Sequence, residues 1–285
     1  MTSYDTLHRT AAWIDLSDRG KIRVTGRDRV RFLHNLLSND VKGLSPGQSS
    51  YHFLLNAQGR IQGDANLFVY EDRMLIDCEP EMTGRIIAHL RRYIIGDQVG
   101  LEDATAGMAT IAVEGPGAAE AAAEAPACSL TGETGRWFLV GRNEANGLVA
   151  RLGLPEATAA EARIVRVENV IPRYGEDFFE TTLPQETQQT RAICFTKGCY
   201  LGQEIVERIR ARGQVHKLLV RVGIDGADPP AAGSPVNASG QQAGTLTSPV
   251  YSPGLGHSLG LAILRRELAE PGAALEVAGR AARVL

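Results

Sequence analysis

Apolar and polar residues alternate along the first third of the chain in patterns that predict strands and helices in turn. Every second residue is apolar in residues 22–24 and in two segments of residues 66–78 that flank a polar turn, which predicts β-strands. In residues 28–37 and 80–96 the apolar residues recur at three- and four-residue spacing, which predicts amphipathic helices. This part of the chain is therefore predicted to form an α+β unit.

A short internal repeat indicates that this unit occurs twice. The alternating segment at residues 22–26, which ends in Gly26, reappears at residues 111–115, which end in Gly115. In both copies a predicted strand leads through the glycine into a predicted helix, and a further strand and helix follow. Two related α+β units packed together are expected. Because the repeat is only a few residues long, two unrelated strand–glycine–helix pieces remain the alternative.

The C-terminal part has a different pattern. Short alternating segments at residues 218–224, 259–264 and 275–277 are separated by glycine and proline turns, which predicts a small antiparallel barrel or sandwich. The expected domains are residues 1–105, residues 106–213 and residues 214–285.

Composition excludes several classes of protein. The chain has 285 residues, 44% of them hydrophobic, and a formal net charge of -3, which argues against a nucleic-acid-binding surface as its main function. It contains no apolar run of about 18 residues and no secretory pattern at its start, so we expect a soluble cytoplasmic protein without membrane contact. Because no C-x-x-C spacing occurs, an autonomous zinc or iron–sulfur site is not expected. A redox-linked pair formed by Cys194 and Cys199 is less favoured than independent thiols. The cysteines are Cys78, Cys128, Cys194 and Cys199.

The segment Lys197-Gly198-Cys199-Tyr200-Leu201-Gly202-Gln203-Glu204 places a thiol ahead of a predicted helix. That helix is expected to begin at Leu201 and to end at an αL cap on Gly213, with Glu204 and Arg208 as an i,i+4 ion pair. Backbone N–H groups at the helix start, together with the charge of Lys197, are expected to lower the pKa of Cys199. The alternative is that Cys199 only fills a strand-to-helix turn.

Continued through Arg208, Arg212 and Gly213, this segment resembles the diagnostic motif of the YgfZ family. Members of that family are folate-binding proteins that help to maintain iron–sulfur enzymes, and their fold is related to the aminomethyltransferase (T-protein) of the glycine cleavage system. The resemblance implies two duplicated α+β units followed by a small C-terminal antiparallel β-barrel. It also implies tetrahydrofolate or another reduced folate as cofactor, and iron–sulfur proteins or their assembly factors as partners.

Residues suited to a pterin are present. A carboxylate can accept both the N–H edge and the exocyclic amine of a reduced pterin, while arginine or lysine suits the anionic glutamate tail. Glu168 lies in an alternating run, residues 164–170, that predicts a strand, and the resemblance places this glutamate on the pterin. The alternative is a solvated strand carboxylate paired with Arg166.

Asp64 takes a position where the T-protein has a carboxylate pair beside the reactive nitrogens of folate. Gly63 replaces the other member of that pair, so we expect little aminomethyl transfer. The preferred function is support of iron–sulfur enzymes with Cys199 as the working thiol; the alternative is a tetrahydrofolate-dependent aminomethyltransferase. The predicted site comprises Cys199 and Asp64 as catalytic residues and Glu168, Arg173, Tyr174, Asn56, Tyr51, Lys197, Gln203, Glu204 and Arg208 as cofactor-binding residues.

Overall fold

A computed structural model describes residues 2–132, 134–213 and 215–285. The helices are α1 (Ser3–Arg9), α2 (Arg29–Leu36), α3 (Thr83–Arg91), α4 (Ala118–Ala121), α5 (Ala145–Leu152), α6 (Ala159–Glu168) and α7 (Gln203–Arg212). The strands are β1 (Ala12–Asp15), β2 (Gly20–Thr25), β3 (Ser49–Leu55), β4 (Ile61–Val69), β5 (Met74–Cys78), β6 (Gly100–Asp103), β7 (Met108–Glu114), β8 (Arg136–Gly141), β9 (Lys217–Ile224), β10 (Pro235–Ala238), β11 (Gln241–Ser252), β12 (His257–Arg265), β13 (Ala274–Val277) and β14 (Arg280–Val284).

Two antiparallel sheets form the first part of the molecule. One has five strands in the order β3-β4-β5-β2-β6, and the other has three in the order β1-β7-β8. The repeated glycines have the same local role in both, because Gly26 and Gly115 adopt φ values of +95° and +111° where a strand turns into a helix. A Cβ at Gly26 would lie 2.0 Å from the carbonyl oxygen of Gln98, so no larger residue fits there. The predicted α+β class is confirmed.

Two segments cross the predicted boundary at residue 105. Strand β1 comes from the N-terminal region but pairs with β7 of the second sheet. In the other direction, Tyr174, Phe178 and Val206 pack into the apolar core beneath the five-stranded sheet. The two α+β units are therefore interleaved, and the three-domain division remains a prediction. Its second boundary falls on Gln214, which lies outside the described residues, as does the side chain of Arg212.

The C-terminal strands close into a six-stranded antiparallel barrel in the order β10-β11-β12-β9-β14-β13. Of the two predicted alternatives, the barrel is confirmed and the sandwich is wrong. Closure leaves no unpaired sheet edge, which stabilises so small a β domain. Helix α6 packs on the outside of the barrel through Val167, beside Leu219, Val250 and Leu259. No described helix is long and apolar enough to cross a membrane.

Two local predictions are wrong. Residues 164–168, predicted as strand, form the end of α6, because Thr158 and Glu161 make a capping box that starts a helix upstream of the alternating run. Helix α7 begins at Gln203 rather than at Leu201, and Gly213 is extended (φ -133°) instead of forming an αL cap. The alternating run at residues 164–170 was too short to distinguish a strand from a turn or two of a buried helix.

Candidate functional site

A cavity of about 380 Å³ lies between the two sheets and is covered on one side by α6. Its size is within the usual range for small-molecule and cofactor sites. Its lining combines charged and polar side chains with apolar ones. The residues that line it include Arg19, Tyr51, Asp64, Asn66, Glu79, Trp137, Arg163, Arg166, Arg173, Glu176 and Arg191.

The β3–β4 pair supplies the carboxylate wall of the cavity. Tyr51 pairs with Asn66 and Phe53 pairs with Asp64, so these four side chains share one face of the sheet. Gly63 belongs to the opposite face, where a Cβ would lie 3.1 Å from Met82 Cε of the segment leading into α3. An acid at position 63 would therefore point away from the cavity. Gly63 therefore does not remove a carboxylate from this site. The expectation of little aminomethyl transfer, which was based on this glycine, loses its structural basis.

The two carboxylate oxygens of Asp64 have different surroundings. The Tyr51 hydroxyl donates a hydrogen bond of 2.6 Å to Asp64 Oδ2. The other oxygen, Oδ1, is buried and has no hydrogen-bond partner among the described residues. Burial raises the pKa of Asp64 to about 6, although the Tyr51 hydrogen bond lowers it in part. The group can therefore accept or release a proton close to neutral pH through an oxygen that nothing else in the described protein uses.

Four of the cavity arginines are held by carboxylates. Arg173 donates to Glu79 at 2.8 Å and to Glu81 at 3.0 Å, which fixes its guanidinium at the cavity rim. The side chain of Arg166 is almost fully buried and donates to Asp177 at 2.8 Å. The remaining pairs are Arg19 with Asp77 and Glu79, and Arg163 with Glu176. These pairs hold the wall in place but leave those arginines with little charge to offer a ligand.

Arg191 is the exception. Its guanidinium carbon lies 5.0 Å from the centre of the Tyr51 ring, a cation–π contact, and it makes no ion pair within the described part of the chain. Sequence reasoning missed it because a short 3₁₀ turn, Thr190–Ala192, brings it to the cavity from far along the chain. Asn66, also missed, was within reach of the sequence, because it lies two residues beyond Asp64 on the same strand face.

Glu168, the residue predicted to hold the pterin, does not line this cavity. It ends α6, and its carboxylate accepts hydrogen bonds from Tyr4 at 2.8 Å and Ser252 at 2.6 Å. His8 Nε2 lies 2.8 Å from its second oxygen. Glu168 therefore links α1 to the barrel, and both of its oxygens have protein partners.

Two other predicted cofactor residues also have structural roles outside the cavity. Tyr174 is buried and packs edge-on against Phe178 at a ring distance of 5.4 Å. Asn56 Oδ1 accepts the backbone N–H groups of Gln58 and Arg60 and so shapes the β3–β4 turn. Among the predicted site residues, Asp64, Tyr51 and Arg173 come together at the cavity.

The Cys199 segment lies elsewhere, against the end of α2. The Cys199 thiol is exposed. Lys197, however, is half-buried, and its ammonium donates to the backbone carbonyls of His34, Leu37 and Asn39 at 2.5, 2.6 and 2.8 Å. Its charge therefore caps the C-terminal end of α2 instead of being directed at the thiol.

The other predicted residues of this segment lie on α7. Glu204 and Arg208 form the expected i,i+4 ion pair at 2.6 Å, on an exposed surface. Gln203 opens the helix after Gly202, which has a φ of +83° and lies so close to Asn56 that a Cβ would be 2.6 Å from its carbonyl oxygen. The close approach of Gly202 docks the helix on the β3–β4 turn, and the cavity lining does not include Gln203, Glu204 or Arg208.

The remaining thiols differ sharply in their surroundings. Burial raises the pKa of Cys78 to about 12, and it raises that of Cys128 well above the ordinary value. Although partial burial opposes the change, hydrogen bonds from Thr196 and from the backbone of Lys197 lower the pKa of Cys194. Hydrogen bonds at Cys194 therefore favour the thiolate form of that residue.

Two family models match the chain. The GCVT N-terminal domain matches residues 2–154, and the glycine cleavage T-protein C-terminal barrel domain matches residues 217–284. The segment that carries Cys199 lies between the two matched regions.

Curated relatives match over nearly the whole chain. A protein named aminomethyltransferase from Exiguobacterium sibiricum is 29% identical over 302 residues, covering 93% of this chain and 82% of its own length. One of the same name from Bacillus subtilis is 26% identical over 311 residues, covering 94% and 84%.

A solved structure has the same fold. The glycine cleavage system aminomethyltransferase T from Bartonella henselae superposes with a TM-score of 0.85 at 20% identity, covering 99% of this chain and 86% of its own.

Proposed function

Because the chain belongs to the glycine cleavage T-protein family, we propose that it is a tetrahydrofolate-dependent transferase of the aminomethyltransferase type, with its site in the cavity at Asp64. The observation that carries this proposal is Asp64 Oδ1, which is buried and has no hydrogen-bond partner among the residues that the structure describes. The names of the curated relatives favour this reaction class over the iron–sulfur function.

The cavity residues suit a reduced folate. Asp64 Oδ1 is free to accept a pterin N–H, and the Arg191 guanidinium is the cation available for a carboxylate of the glutamate tail. Tyr51 provides aromatic surface for the rings. The cavity volume of about 380 Å³ accommodates the pterin and part of the adjoining chain.

The chemistry divides between folate and protein. Bound tetrahydrofolate supplies a nitrogen that accepts the one-carbon group. Asp64 would receive a proton from the attacking folate nitrogen and pass it to the amine as the carbon–nitrogen bond breaks. The carbon–sulfur bond to the carrier breaks as well, and the second folate N–H supplies the proton for the released thiol. The role of Asp64 requires a carboxyl whose pKa lies near the working pH. A pKa of about 6 meets that requirement. Burial of the site limits competition from water.

The test is a titration of the purified protein with tetrahydrofolate by calorimetry, followed by an aminomethyl-transfer assay with a reconstituted lipoyl carrier. We expect saturable binding and a transfer rate that depends on Asp64. The matched control is Asp72→Asn, at an exposed aspartate in the β4–β5 turn. Absence of binding, or a transfer rate equal in the wild type and Asp64→Asn, contradicts the proposal.

A second candidate function is support of iron–sulfur enzymes. It is favoured by the exposed Cys199 thiol, in a segment that neither family model covers and that resembles the YgfZ motif. Under this proposal iron–sulfur proteins or their assembly factors are the partners and folate is a cofactor. Within the described residues, no group of three or more potential ligands is placed to hold a metal ion, so Cys199 would act on a cluster held by the partner.

Visible absorbance after anaerobic iron–sulfur reconstitution, together with complementation of cells that lack the protein, separates the two candidates. The second candidate requires wild-type protein to restore iron–sulfur enzyme activity and Cys199→Ser to fail, since serine is neither a comparable nucleophile nor a soft metal ligand. Full rescue by Cys199→Ser, with transfer that depends on Asp64, leaves the first candidate.

A further inference from the structure

We propose that Tyr51 is a positioning residue that occupies one oxygen of Asp64 and thereby dedicates the other to the ligand. The identity of that ligand rests on the function proposed above, but the arrangement itself does not. The Tyr51 hydroxyl donates to Oδ2 at 2.6 Å, whereas Oδ1 is buried without a partner in the described structure. A carboxylate without such a donor could present either oxygen by rotating about its terminal torsion.

The β3–β4 register makes this contact possible. Tyr51 lies opposite Asn66, and Asp64 lies opposite Phe53, so Tyr51 and Asp64 are diagonal neighbours on one face. At that separation a long side chain such as tyrosine can reach its diagonal neighbour. The hydrogen bond is therefore a consequence of the register between β3 and β4.

The ring of Tyr51 is held from two sides. Arg191 lies over its face at 5.0 Å, and Phe53 packs edge-on at a centroid distance of 5.6 Å. Phe53 in turn packs against Phe178 at 5.8 Å, deep in the core. Because the ring is clamped, the hydroxyl holds a fixed direction, and the carboxylate that accepts its hydrogen bond is fixed with it.

Other charged groups also act on Asp64. Glu79, which follows β5, raises the pKa of Asp64, and Arg19, in the β1–β2 connection, lowers it. Tyr174 interacts electrostatically with Asp64 from the segment after α6, and Arg191 acts on Tyr51. Tyr51 differs from these groups because its hydroxyl donates a hydrogen bond to the Asp64 carboxylate. Removal of its hydroxyl therefore changes both the orientation and the proton affinity of Asp64, while the surrounding charges stay in place.

The test follows the carboxyl carbon of Asp64 by NMR in ligand-free protein labelled with ¹³C-aspartate, over a pH titration. In Tyr51→Phe we expect the midpoint of the Asp64 titration to move upward from its wild-type value, because the hydrogen bond that stabilises the ionised form is lost. Tyr70→Phe is the matched control, since Arg73 lies over the Tyr70 ring at 4.8 Å in the same way but no carboxylate accepts from its hydroxyl in the described structure. The control should leave the Asp64 midpoint unchanged.

An upward shift confined to Tyr51→Phe supports the proposal. An unchanged midpoint, or equal shifts in both variants, overturns it. Because no folate is present, the result is independent of the proposed function and can succeed where folate binding fails. If tetrahydrofolate does bind, the transfer rate of Tyr51→Phe should fall about tenfold while its KM changes less, and the pH at which the rate is half-maximal should move in the same direction as the NMR midpoint.

Discussion

The cavity around Asp64 and the segment around Cys199 use their polar groups in opposite ways. In the cavity, one carboxylate oxygen and one guanidinium remain without a protein counterpart in the described structure, while the other four lining arginines are paired with carboxylates. Along the Cys199 segment the charges are used for folding, because Lys197 caps α2 and Glu204 pairs with Arg208. The more distinctive sequence motif is thus the more structural of the two regions, apart from its exposed thiol.

Removal of the Asp64 carboxylate is expected to have the largest effect on the transfer rate. Asp64→Asn should lower the rate of aminomethyl transfer by roughly 10²–10⁴-fold, the usual contribution of a positioned acid–base group. Steady-state kinetics with the reconstituted carrier measure the effect. Asp72→Asn should retain the wild-type rate, and a loss of the same size in that control would mean that the assay reports something other than the site.

The same variant gives a stability prediction. The pKa of Asp64 is about 6 in the folded protein and ordinarily near 3.8, so the folded state binds this proton more tightly. Its contribution is present below pH 4 and is lost as the pH rises through 6. Relative to Asp64→Asn, the wild type should therefore lose on the order of 1–3 kcal/mol of unfolding free energy between pH 4 and pH 7. Urea unfolding at both pH values measures it; a difference independent of pH would show that Asp64 is not an unusually basic carboxylate.

Arg191 is expected to contribute to the affinity of the cavity for tetrahydrofolate. Arg191→Gln removes the one cavity arginine without an ion pair in the described structure. It should weaken tetrahydrofolate binding about tenfold or more, the loss of a charge-assisted hydrogen bond. Arg73→Gln is the control, because this arginine also caps a tyrosine ring but lies outside the cavity. Calorimetry that finds equal affinity for both variants would remove Arg191 from the binding site.

The smallest effects are expected at Cys199. The thiol is exposed, so Cys199→Ser should change the unfolding free energy by less than about 0.5 kcal/mol and leave folate affinity unchanged. Mass spectrometry after brief alkylation should show Cys78 and Cys128 protected, since burial raises the pKa of both thiols. A marked loss of stability in the serine variant would place Cys199 among the structural residues of its segment.

Local pattern was sufficient for much of the fold and for part of the site. Strand periodicity and the repeated Gly26 and Gly115 predicted the two α+β units, and the turn-rich C-terminal pattern predicted the barrel. It failed at Glu168, because a capping box upstream turned a short alternating run into helix and directed the glutamate towards α1 and the barrel.

Long-range contacts explain the other differences. Arg191 reaches Tyr51 from a distant turn, and the carbonyls that bind Lys197 lie at the end of α2, far away along the chain. No spacing rule within a single segment contains those partners. The face of Gly63, by contrast, follows from simple strand alternation beside Asp64, and this alternation was available in the sequence.

The claim that folate binds in the Asp64 cavity, and not at the Cys199 segment, is tested most directly by a titration with tetrahydrofolate that follows both regions at once. The carboxyl resonance of Asp64 reports on the cavity, and the alkylation rate of Cys199 reports on the motif segment. We expect the Asp64 resonance to shift and to saturate with the dissociation constant found by calorimetry, while Cys199 alkylates at an unchanged rate. Saturating protection of Cys199 with an unmoved Asp64 resonance would contradict it and place the folate at the other region.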